Sequence, residues 1–67
     1  ESTMKVNYDK EVDVLYITLT DEKIKESDEH KPGIVLDFDA NGNMVGIEIL
    51  DASKKMKSAM KVEYEVA

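Results

Sequence analysis

The sequence has no cysteine and no tryptophan, and only one proline and one histidine. Arginine is missing too, since all nine basic residues are lysine. Without cysteine, no disulfide staples the chain and no thiolate holds a metal. With His30 as the one histidine, His-rich zinc sites are excluded as well. A cysteine-free chain fits a reducing compartment, and the cytoplasm is the expected location. The absence of arginine removes the side chain that makes bidentate contacts to phosphate and guanine. Fifteen acids against nine lysines leave a formal charge of −6, which repels a polyanion, so nucleic acid is not an expected partner. No apolar run reaches the ~20 residues of a membrane span, and the polar N-terminus predicts no secretory leader. The three glycines stand apart at 33, 42 and 46, so there is no phosphate-cradling loop.

What is present fits one domain of 67 residues, spanning 4–67, with Glu1-Ser2-Thr3 before Met4 read as an artificial remnant. A chain this short buries only ~60% of the surface its unfolded form exposes, so its stability is marginal. The charge is uneven: residues 1–30 carry nine acids against four lysines, and residues 51–67 carry four lysines against three acids. Such asymmetry favours solubility and the docking of one end on the other.

Val6-Asn7-Tyr8 alternates, and Val14 to Leu19 is rich in β-branched and aromatic residues, so both predict strands. The polar stretch between them suits a loop over Lys10 to Asp13 built on a type I turn. That register pairs Tyr8 with Leu15 and Val6 with Ile17. Residues 21–31 are almost wholly polar and predict a loop or a solvated edge strand, ended by a turn at Pro32-Gly33.

Ile34 to Asp39 and Met44 to Leu50 flank Asn41-Gly42, the strongest short hairpin signal. A two-residue type I′ loop there pairs Ala40 with Asn43, Phe38 with Val45, Leu36 with Ile47 and Ile34 with Ile49. A slip of one residue would turn that apolar set to the wrong face. Asp51 or Ser53 then offers an N-cap for a helix to about Lys61. On that helix Ala52, Met56, Ala59 and Met60 share one face, and Lys54, Lys57 and Lys61 the other. Residues 62–66 alternate with period two and read either as a short strand or as more helix. The expected fold is therefore α+β: a small antiparallel sheet, a meander of hairpins, with one C-terminal helix on one face.

The opposite sheet face carries Val14, Tyr16, Val35 and Leu50, more apolar than solvent requires. Neighbouring apolar residues of this kind mark an interface, so these four are the interface candidates, for a homo-oligomer such as a dimer or for a small protein partner. The same face carries Asp37, Asp39 and Glu48, the candidates for a loose cation site or an acid/base pair. Asp37, Asp39, Asn41 and Gly42, with Glu48 further on, also match an EF-hand loop. A helix must enter such a loop, and Pro32-Gly33-Ile34-Val35 disfavours one. A sheet this small promises no pocket for catalysis, so no cofactor and no catalytic residue is expected.

Met4 to Asp9, Asp13 to Ile17, Gly33 to Asp39, and Gly42 followed by Val45 to Ser53 resemble the YuzE-like family of short prokaryotic proteins of unknown function. The Gly46-Ile47-Glu48-Ile49-Leu50-Asp51-Ala52-Ser53 run is the most specific part. The resemblance implies an antiparallel sheet with a helix after that run, and no catalytic residues. Some relatives are thought to be the antidote half of toxin-like pairs. The implied role is a non-enzymatic protein-interaction module. The alternative is a small metal-assisted or acid/base enzyme using the hairpin carboxylates.

Overall fold

The computed structural model describes residues 4–56. Five strands, β1 (Lys5–Asp9), β2 (Val14–Thr18), β3 (Glu26–Lys31), β4 (Ile34–Phe38) and β5 (Met44–Leu50), precede one short helix, α1 (Ala52–Lys55). All neighbouring strands pair antiparallel, in the order β1-β2-β5-β4-β3. The expected α+β sheet forms, and β5 lies at its centre between β2 and β4.

The first hairpin has the predicted register, with Val6 across from Ile17 and Tyr8 across from Leu15. Asp9 caps the loop: its Oδ1 accepts N–H bonds from Glu11 at 3.0 Å and Val12 at 3.4 Å. Asp13 closes the loop in the left-handed region, at φ 57°. Asp tolerates that region better than most side chains because its short polar group bonds locally.

The second hairpin corrects the predicted loop. Asn41 does not take the positive φ that a type I′ turn demands; Gly42 alone does, at φ 83°. Gly42 N–H donates to Asp39 O at 3.1 Å, and Asp39 N–H donates to Asn43 O at 2.9 Å. The loop is therefore Ala40-Asn41-Gly42, a type I turn followed by a left-handed glycine. Asp39 favours this turn because its Oδ1 accepts N–H bonds from both Asn41 and Asn43, each at 2.9 Å. The longer loop places Phe38 across from Met44, where Val45 was expected. A bulge at Val45 absorbs the offset, and from Asp37–Gly46 onward the predicted register returns, with Leu36 across from Ile47 and Ile34 across from Ile49. Val45 is only 3% exposed, and its carbonyl accepts the N–H of Leu19 at 2.8 Å.

Of the two readings of 21–31, the edge strand is correct for β3, whose residues are all exposed. A bulge at His30 shifts its pairing with β4. Glu29 Oε2 accepts the Gly33 N–H at 2.9 Å, which steadies the Pro32-Gly33 turn.

The helix is shorter than predicted. It runs one turn from Ala52, and Met56 is already extended at φ −128°. Asp51, in the left-handed region at φ 51°, makes no side-chain cap. Asp13 supplies the cap across the fold instead. Its carbonyl accepts Ala52 N–H at 3.0 Å, its Oδ1 accepts Ser53 N–H at 3.0 Å, and its Oδ2 accepts Ser53 Oγ–H at 2.7 Å. The orphan donors of a helix start are thus satisfied from the first hairpin. The predicted helix beyond Met56 and the strand or helix over 62–66 lie outside the described residues.

Among the described residues the buried apolar side chains are Val14, Leu15, Val45 and Ala52, and no large side chain is fully buried. Val6, Leu15, Ile17, Ile34, Leu36, Ile47 and Ile49 share one face by pairing, and apart from Leu15 they remain half-buried or exposed.

Candidate functional site

The opposite face holds the site. Connecting β2 to β3 obliges the chain to cross past β5 and β4, because β3 lies at the far edge. Thr20, Glu22 and Ile24 of that crossing line a cavity of about 210 Å³ together with Tyr16, Asp37 and Glu48. The cavity is small. It lies below the ~300 Å³ where ordinary small-molecule sites begin, so it suits an ion or a very small molecule.

Asp37 is 3% exposed. Burying a carboxylate demands partners, and it has them: Ser27 Oγ–H of β3 donates to its Oδ1 at 2.6 Å. On β5, Gly46 is the residue opposite, and Glu48 opposes Val35. Asp37 and Glu48 are thus diagonal neighbours on one face, within reach of each other. Partial burial, a hydrogen bond with Asp37 and the Asp37 charge, in that order, push the Glu48 carboxyl above its ordinary range. Of the two, Glu48 is the carboxyl with the raised proton affinity. Chemically the pair sets a carboxyl of raised proton affinity beside the buried Asp37 side chain.

Asp39 does not join them. Its carboxylate is held by its own loop, and the N–H bonds from Asn43 above all, then Asn41, keep it below the usual carboxylate range. Among the described residues no three His, Cys, Asp or Glu side chains come together around a common point. The expected co-facial trio of Asp37, Asp39 and Glu48 is thus reduced to two, because the bulge and the Asp39-capped turn end the strand at Phe38. The EF-hand pattern over the same residues lies on a hairpin, with no helix entering.

The interface candidates also divide. Val14 is buried at 8% exposed and belongs to the core, whereas Tyr16, Val35 and Leu50 are half-buried. Tyr16 opposes Glu48 and lines the cavity. Ser27 is the member that sequence reasoning missed. A plain Pro32-Gly33 turn, with Lys31 across from Ile34, would place Ser27 opposite Phe38; the His30 bulge places it opposite Asp37.

A second polar cluster ties the sheet to α1. Tyr8 O–H donates to Asp13 Oδ1 at 2.6 Å. That bond and then those from Ser53 hold the Asp13 carboxyl below its ordinary range, and the same bond raises the Tyr8 phenol.

A family model described as a protein of unknown function (DUF2283) matches residues 5–53. An uncharacterised protein of Methanocaldococcus jannaschii is 45% identical over 51 residues, which cover 76% of this chain and 43% of that protein. The chain thus spans about two fifths of the length of that curated relative. No solved structure gives a significant match.

Proposed function

The chain belongs to the family of proteins of unknown function DUF2283, and we propose that it is a non-enzymatic protein-interaction module that works as a homo-oligomer. One observation carries the reading. Five strands and one helical turn leave no large apolar side chain fully buried among the described residues. Half-buried isoleucines and leucines on a sheet face gain most from a cover supplied by another chain. Domains this small draw on association when their own core is thin.

The YuzE-like resemblance extends the proposal to an antidote-type partner, and the acidic charge suits a basic one through steering. A cysteine-free chain suits the cytoplasm as the setting. The test is light scattering on the purified full chain across a dilution series. A mass of two or more chains that falls on dilution supports the reading. A monomer at millimolar concentration overturns the homo-oligomer, and quantitative pull-down then tests the antidote form.

A second reading is acid/base chemistry by Asp37 and Glu48, favoured by their placement together at one cavity. A small nucleophile or cation that shifts the Glu48 carboxyl resonance at micromolar concentration supports it, and no shift at millimolar concentration removes it.

A further inference from the structure

The two outer strands of the sheet are built differently. β3 reads Glu-Ser-Asp-Glu-His-Lys, every residue exposed, with a bulge at His30. Charge and a bulge are the usual devices that stop a sheet edge from pairing further. β1 has neither. It reads Lys-Val-Asn-Tyr-Asp, pairs regularly along its whole length with β2, and among the described residues has no strand on its other side. Val6, next to the central Asn7, is 40% exposed. An edge of this kind offers an unpaired row of backbone N–H and C=O groups.

We infer that the open edge of β1 pairs antiparallel with β1 of a second copy, about a two-fold axis at Asn7. The inference rests on the homo-oligomer reading and names an edge contact, distinct from the sheet-face cover that carries that reading. The strand is self-complementary about that residue. With Asn7 facing its own counterpart, Val6 of each copy faces Tyr8 of the other, and Lys5 of each faces Asp9 of the other. An antiparallel pair with an apolar–aromatic match and two opposite-charge matches is favourable position by position. A two-fold axis repeats each match, as a closed dimer requires. Asp9 spends its Oδ1 on its own loop, which fixes the carboxylate at the strand end where Lys5 of the second copy arrives. Val6 and Tyr8 stand on the same face as Leu15 and Ile17, so the pairing makes one continuous apolar surface across both copies.

The chain lacks cysteine, so single-cysteine variants report the register directly. Opposed residues in an antiparallel pair have Cα atoms ~4.5–5.5 Å apart, within the range a disulfide spans. Under mild oxidation Asn7→Cys forms a covalent dimer, while Asp28→Cys on the opposite edge does not. Lys5→Glu, which sets like charges against each other twice, weakens association about tenfold at low salt and less at high salt. A chain that dimerises by light scattering yet neither cross-links through position 7 nor responds to Lys5→Glu overturns this surface and leaves the oligomer reading standing. A monomer whose β1 shows nuclear Overhauser contacts to residues 62–66 of its own chain overturns both.

Discussion

Asp37 Oδ2 lies 3.3 Å from the point where a Cβ on Gly46 would stand, and the Ile17 carbonyl oxygen lies 3.2 Å from the same point. The buried carboxylate therefore occupies the space a side chain would fill on the strand opposite. A side chain at Gly46 would be crowded rather than strained in its backbone, since its φ is not positive.

Gly46→Ala is accordingly expected to destabilise the chain by about 1–3 kcal/mol, the usual range for overfilling a packed site. One obstacle is backbone and cannot swing aside. Urea denaturation measures the loss. Unchanged stability would mean that the Asp37 side chain moves freely.

Glu48→Gln keeps the shape of the side chain and removes the titration. A carboxyl whose folded pKa is raised contributes stability that is full below its unfolded value of about 4.3 and is lost as pH rises through the folded value. The parent chain should therefore fall behind Glu48→Gln as pH rises from 4 to 7. Paired denaturation curves at those pH values check the sign, and a constant gap between them would contradict it.

Asp13 runs the other way. Its carboxyl is depressed, so its stabilisation is present above the unfolded value of about 3.9 and is lost as pH falls through the folded value. Asp13→Asn should flatten the acid limb of the stability profile. It should also bring one tyrosine, Tyr8, back toward the ordinary phenol value of about 10, read by absorbance titration. Ser53→Ala should leave that phenol raised, because the Tyr8 bond survives.

Gly42→Ala meets no atom, yet its φ of 83° disfavours any side chain. The expected loss is about 1–2 kcal/mol, from backbone strain alone. Asn41→Gly should be unfavourable here, because Asn41 sits at negative φ, whereas in a type I′ loop it would be neutral or stabilising. Thermal melts of the two variants distinguish the loop types.

Much of the sheet was legible because alternation and turn chemistry agreed. Ile34, Leu36, Ile47 and Ile49 had to share a face, and they do. The two bulges were not legible. Asn41-Gly42 suits both a two-residue loop and the longer one, and the choice falls to Asp39, whose side chain caps the longer turn. The bulge at His30 decides whether Ser27 meets Phe38 or Asp37, and a run of six polar residues carries no periodicity to reveal it. The site was therefore half visible. Asp37 and Glu48 follow from register; the Ser27 bond and the crossing that roofs the cavity depend on where β3 lies. The helix cap was hidden for another reason. A local reading looks to Asp51 and Ser53, but the acceptor is Asp13, far away in the chain.

That last bond has a consequence for how the chain assembles. The Asp13–Ser53 link joins positions 40 apart, so on a ribosome the first hairpin emerges with its carboxylate facing water until the Ser53 amide arrives. A single helical turn has negligible stability by itself. Its start is therefore expected to form only once the first hairpin is in place. Amide hydrogen exchange should then find Ala52 and Ser53 opening together with the first hairpin as one cooperative unit.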